Sequence, residues 1–185
     1  MTLNQRAFRH AIGHFTTGVA VIAAQIGDEI HAMTANAVSS LSLDPMLILF
    51  CPSKESRFAQ FLPALTTFSI NILREDQQAL SNYFAGAWRD PTAPAFRFVP
   101  TDTGPRLEGA MASLGCDLFE TAEGGDHWLV IGRVRSTHIG TDPLRPLIFF
   151  KGQYRSVNLG EEAPAPDLAN VSDEPAHIYY IDGHQ

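Results

Sequence analysis

Short apolar runs closed by turn signals, rather than long amphipathic stretches, fill most of this 185-residue chain. Residues 19–26 form a buried-type strand run, and Gly27-Asp28 is a turn signal that predicts residues 30–34 as its hairpin partner. Asp44-Pro45 opens another apolar run, residues 46–51, which Pro52 ends. Residues 66–73 alternate with a strand period, and residues 110–121 and 127–138 flank a hairpin turn, Glu123-Gly124-Gly125-Asp126. Residues 147–157 read as a last strand, interrupted by Gly152. Three segments read as helices. Residues 3–15 carry Phe8, Ile12 and Phe15 at i, i+4 and i+7; residues 53–62 start at a Ser53 N-cap and turn Phe58, Phe61 and Leu62 inward; residues 75–84 are closed by Gly86. Residues 88–104, rich in Pro, Thr and Asp, make a loop of the length that is usually functional or mobile. Short turns between neighbouring strands favour a mainly β fold with a few helices. The expected architecture is an antiparallel barrel or sandwich rather than a βαβ array.

Composition narrows the function classes. With 45% hydrophobic and 18% charged residues, the chain suits one globular domain with a real core. No run approaches the roughly 18–20 apolar residues that span a bilayer. Residues 1–9 lack the basic-then-apolar layout of a secretory signal, so a cytoplasmic location is expected. Charge is uneven: residues 159–185 hold six acidic residues and no Lys or Arg, against a net charge of −7 for the whole chain. This divides the chain into a domain, 1–158, and an acidic, Pro-containing tail, 159–185. In the tail, residues 178–181 are the one sticky segment, suited to pairing with a sheet edge or covering a pocket, unless the tail only solubilises. The body has no Lys/Arg cluster, which disfavours nucleic acid. Cys51 and Cys116 stand far apart without a C-x-x-C pair and read as core or near-core thiols rather than a disulfide or zinc framework. His10 and His14 form an i, i+4 pair without a carboxylate partner, so no metal site is expected. There is no G-x-G-x-x-G after a strand, no P-loop lysine and no G-x-S-x-G.

Three stretches carry polar chemistry, each with a plainer alternative. The small, uncharged run 32–40 would let a flat aromatic ligand reach backbone N–H groups, or is simply a strand entering a Ser-rich turn. Ser53-Lys54-Glu55-Ser56-Arg57 at a helix start offers N–H groups, hydroxyls and cations to a phosphate, or is an ordinary capped helix. Gly125-Asp126-His127 places a histidine at a hairpin end, aimed into a cleft or merely solvated.

Taken in order, Phe15-Thr16-Thr17-Gly18-Val19-Ala20-Val21-Ile22, the stretch from Met33-Thr34-Ala35-Asn36-Ala37-Val38-Ser39-Ser40 to Asp44-Pro45-Met46, Ser53-Lys54-Glu55-Ser56, Phe68-Ser69-Ile70-Asn71-Ile72-Leu73, Gly125-Asp126-His127 and Pro146-Leu147-Ile148-Phe149-Phe150-Lys151-Gly152-Gln153-Tyr154 resemble the flavin reductase-like family. The resemblance implies an FMN-binding split β-barrel that forms a homodimer, with flavin near the subunit interface. It implies NAD(P)H-dependent reduction of FMN or FAD, and delivery of reduced flavin to a partner monooxygenase. Within it, Thr34, Ala35, Asn36, Ser39 and Ser40 contact the flavin ring and ribityl chain, with Cys51 counted among the cofactor-binding positions. Ser53, Lys54, Ser56 and Arg57 take the phosphate. His127, with Asp126, holds the nicotinamide, and Phe150 lies in the closing segment near the flavin. Hydride transfer between stacked rings about 3–3.5 Å apart asks the protein for positioning rather than an acid or base. The residues leave FMN against FAD and NADH against NADPH open. They also leave open a different electron acceptor, and a flavin store or sensor without turnover.

Overall fold

The computed structural model describes residues 4–141 and 145–158. The acidic tail and its 178–181 segment lie outside these residues. A helix, α1 (Gln5–Ile12), precedes a short strand β1 (Thr17–Gly18), then β2 (Ala20–Ile26), β3 (Glu29–Ala35), β4 (Val38–Leu43) and β5 (Met46–Phe50). After a 3-10 segment, Phe58–Ala64, come β6 (Thr67–Ile72), a 3-10 turn at Glu75–Gln77 and α2 (Gln78–Phe84). The remainder is strand: β7 (Phe98–Val99), β8 (Arg106–Leu107), the long pair β9 (Ala112–Gly124) and β10 (His127–Ile139), and β11 (Ile148–Phe150) with β12 (Gln153–Arg155). No helix among the described residues is long and apolar enough to cross a membrane.

The protein is mainly β, as expected. Seven strands form one sheet in the order β3-β2-β6-β9-β10-β5-β4, every neighbouring pair antiparallel. Both faces of its centre are covered, which is why β2 reads as a continuous apolar run. Ile22, Phe50, Phe68, Ile70, Cys116 and Val130 pack on one side; Val21, Leu73, Leu80, Leu107 and Leu147 pack on the other, under α2 and β8. The Gly27 and Gly125 turns form where expected, both glycines at positive φ, 61° and 72°.

Several expectations need correction. The Ser-rich stretch after residue 37 is not a turn but β4, because pairing with β5 supplies the ladder that serine's weak strand preference does not. The last strand is instead a hairpin: Lys151 and Gly152 both adopt positive φ, 50° and 74°, the turn that folds β11 back onto β12. The helix expected over 53–62 is a tight turn followed by the seven-residue 3-10 segment, with Pro63 inside it and no side-chain cap. Phe58 and Leu62 are buried as predicted, whereas Phe61 is half-buried and stacks on His31 with ring centroids 3.6 Å apart. The first helix forms but ends at Ile12, short of Phe15, and its apolar residues face away from the core: Phe8 is 61% and Ile12 54% exposed, and Phe15, in the turn that follows, 71%. The 88–104 loop is anchored rather than free: Phe96 and Phe98 enter an aromatic cluster with Tyr83 and Phe84, and β7 pairs with β8.

Candidate active site

The expected site residues come mostly from the strand ends at one end of the sheet. β3 ends at Ala35 and β5 at Phe50, while β4 starts at Val38 and β10 at His127; Phe50 pairs with both Val38 and Val130. The chain leaving β5 is then stitched to its neighbours. Cys51 N–H donates to the Ala37 carbonyl at 3.1 Å, Lys54 N–H to the Asp126 carbonyl at 2.9 Å, and Trp128 N–H to the Pro52 carbonyl at 2.9 Å. The last two bonds make Ser53 and His127 a bridged pair, so these two side chains leave the same face. On the other flank, Asn36 Nδ2 donates to Thr17 Oγ1 at 3.3 Å, and Thr17 pairs with Phe149, the neighbour of Phe150. Three stretches far apart in sequence, 36–40, 51–57 and 126–128, thus stand side by side, with Phe150 beyond Thr17.

Individual placements differ. Ser39 and Ser40 are exposed on β4, and Ser39 Oγ donates to the Ser40 carbonyl at 3.1 Å. Ala35 is buried against the core, and Cys51 is half-buried. Thr34 does not present its hydroxyl here; Oγ1 donates to the Ser81 carbonyl at 2.7 Å and fastens β3 to α2. Ser53 Oγ accepts the Glu55 N–H and Ser56 Oγ the Ala59 N–H, each at 3.2 Å, so each hydroxyl keeps its own hydrogen for an anion. That replaces the helix-dipole argument, since no α-helix starts at Ser53. Arg57 is exposed and forms no ion pair among the described residues. Lys54 is already engaged, with Nζ 3.1 Å from Glu123 Oε2 and 5.0 Å from the Trp128 ring centroid. Phe150 is half-buried, edge-on to His14 at 6.3 Å and covered by Lys151 Nζ at 5.4 Å. Two cavities of about 210 and 250 Å³ lie elsewhere, around Met111 and Gly140 and around Ser69 and Thr137, and neither is lined by an expected site residue.

His127 is oriented by its own neighbour. Nδ1 lies 2.8 Å from Asp126 Oδ1, so the ring donates from Nδ1 and leaves Nε2 without a partner among the described residues. The hydrogen bond from His127, then its charge, hold the Asp126 carboxyl below the usual range, with Arg9 of α1 adding to the effect. A lowered carboxyl contributes fully above its unfolded value and loses that contribution as pH falls through the folded one. The pairing therefore holds from neutral into mildly acidic pH.

Comparison with known proteins identifies the family. Residues 12–158 match the model of the flavin reductase like domain. The chain belongs to this family. This flavin reductase-like chain is 39% identical over 160 residues to the NADH-dependent flavin reductase of a Rhodococcus species, covering 84% of this chain and 89% of the relative. It is 36% identical over 151 residues to the reductase component of 4-hydroxyphenylacetate 3-monooxygenase from Thermus thermophilus, covering 82% and 95%. The solved structure of flavin reductase PheA2 in its native state superposes with a TM-score of 0.79 at 34% identity, covering 84% of this chain and 99% of that one.

Sequence reasoning missed Thr17, Glu123 and Trp128, which touch Asn36 and Lys54. No sequence signal marks the Lys54–Glu123 pair, because its members lie 69 positions apart. The thiols give a direct check on the flavin reductase-like core. Burial, then the Asp117 charge, push Cys116 up to about 12, and burial raises Cys51 less deeply in the fold. Native protein treated with iodoacetamide at pH 8 is expected to label at Cys51 and not at Cys116, as read by peptide mass spectrometry. Equal labelling of both would show that the sheet interior opens.

Proposed function

We propose that this chain passes hydride from NADH or NADPH to FMN or FAD and supplies the reduced flavin to a partner flavin-dependent monooxygenase. The observation that carries the reading is the meeting of 36–40, 51–57 and 126–128 at one sheet end, in a chain of this family. The residues present suit a flavin. Ser53 and Ser56 retain hydroxyl hydrogens for a phosphate and Arg57 forms no ion pair among the described residues, while Asn36 and Ala37 are exposed. A flavin held there supplies the electron acceptor. The chain's own part is positioning: hydroxyls and Arg57 hold an anion, Phe150 offers an aromatic face, and His127, fixed by Asp126, presents Nε2 to a carboxamide.

The family's split barrel and homodimer fit the exposed apolar surface. β4 is an edge of the sheet, and Leu41, Leu43 and Met46 on the β4–β5 hairpin are 41%, 68% and 56% exposed. With the α1 stripe, this is surface that a second copy would cover. Leu43→Asp is expected to shift the protein toward monomer in sedimentation velocity; an unchanged dimer would move the interface elsewhere.

Steady-state oxidation of NADH and NADPH with FMN, FAD or riboflavin tests the activity. Absence of flavin-dependent turnover with all three refutes it. His127→Ala is expected to raise the nicotinamide KM about ten-fold, the loss of one hydrogen bond, while flavin Kd stays within two-fold. Equal loss of flavin binding would remove His127 from this role.

A further inference from the structure

Lys54 sits in the stretch expected to hold a phosphate, but its surroundings describe another task. Its backbone is pinned to the β9–β10 hairpin by the Lys54 N–H bond to Asp126 and the Trp128 N–H bond to Pro52, both 2.9 Å. Its side chain then crosses that hairpin. Glu123 and Trp128 are direct cross-strand partners on β9 and β10, so their side chains stand together on one face. The Lys54 stem spans both, placing Nζ 3.1 Å from the Glu123 carboxylate and 5.0 Å from the indole centroid. Trp128 in turn packs against the main core cluster. Side chains alternate along a strand, so His127 leaves the opposite face, the one it shares with Ser53. Lys54 therefore points away from the face that carries the histidine.

We infer that Lys54 is a positioning residue: with Glu123 and Trp128 it clamps the hairpin tip to the 52–57 loop and thereby sets where His127 stands relative to the flavin loop. The cation holds the tip from behind, while the two backbone bonds hold it along the edge. Hairpin tips away from a sheet's centre fray on their own, and this one ends in the two-residue turn Gly125-Asp126. Without the clamp, the tip keeps its local fold but loses its fixed distance to Ser53.

The inference rests on the flavin reductase reading, and the test separates the two. Lys54→Met keeps the stem on Trp128 and removes the charge; Glu123→Gln removes the partner charge; Lys54→Arg restores the pair. The Lys54→Met protein is expected to show a nicotinamide KM raised about three- to ten-fold, with the ratio of FMN to riboflavin Kd unchanged. Glu123→Gln is expected to move the same constant in the same direction. The double variant should be no worse than Lys54→Met alone, and Lys54→Arg should recover wild-type behaviour. A Lys54→Met protein that weakens FMN against riboflavin while keeping the nicotinamide KM would make Lys54 a phosphate ligand and overturn the inference. Amide hydrogen exchange gives a readout independent of turnover. The Lys54 and Trp128 amides should lose at least ten-fold protection in Lys54→Met while β2 and β6 amides do not. Unchanged protection there overturns the clamp, whereas wild-type protein without flavin turnover overturns only the activity.

Discussion

Replacing Gly104 with alanine is expected to destabilise the protein by about 3–5 kcal/mol, the sum of a backbone conformation that alanine resists and a steric overlap. Gly104 adopts φ +101°, and a Cβ there would lie 2.6 Å from the Phe68 carbonyl carbon and 2.7 Å from the Ser69 nitrogen. Those atoms are backbone of β6, an inner strand paired on both sides, and have no side-chain freedom with which to retreat. Relief would have to come from lifting residues 101–107 off the sheet, which exposes the fully buried Pro105 and Leu107. Urea unfolding midpoints of wild type and Gly104→Ala measure the effect directly. A change below about 1 kcal/mol would mean that this segment is not seated on β6.

Asn71→Leu is expected to cost about 3 kcal/mol, through partners left without hydrogen bonds rather than through lost volume. Asn71 is fully buried and uses all of its capacity. Nδ2 donates to the Val21 carbonyl at 3.1 Å and to Ser69 Oγ at 2.9 Å, while Oδ1 accepts Leu107 N–H and Ser113 Oγ–H, both at 2.9 Å. One side chain therefore joins β2, β6, β8 and β9. Leucine fills the space but strands the Leu107 N–H and leaves the Ser113 hydroxyl to find a new partner in a low-dielectric setting, while Ser69 keeps its bond to the Pro105 carbonyl. Ser113→Ala removes a single bond of the same network and should cost about 1 kcal/mol, so the ratio of the two losses in the same urea experiment is the sharper measurement. A ratio near one would show that water reaches Asn71.

Much of the fold was legible because its causes are local. The glycines at 27, 86 and 125 sit at positive φ and mark turns or ends that their chemistry demands. The alternation over 66–73 and the paired runs around Gly125 became β6, β9 and β10 with small shifts of boundary. Features that depend on surroundings were not legible in the same way. The apolar spacing of Phe8 and Ile12 made a helix that stops before Phe15, but periodicity reports a face and not what covers it. Serine's turn preference at 39, 40 and 42 lost to ladder pairing with β5. The helix start expected at Ser53 lost to bonds with a hairpin more than 70 positions downstream.

The same division runs through the site. Residue type set apart 32–40, 53–57 and 125–127 as polar stretches with plainer alternatives, and the family resemblance carried by their order gave them, with Phe150, their expected roles. Which of these groups are available was decided by tertiary partners. Thr34 spends its hydroxyl on α2, Lys54 its charge on Glu123, and His127 one ring nitrogen on Asp126. A sequence states which donors and acceptors a chain owns, and local rules turn them into hairpins and helices. How each donor is used depends on contacts between segments far apart in the chain, and those exist only once the sheet has brought its strand ends together.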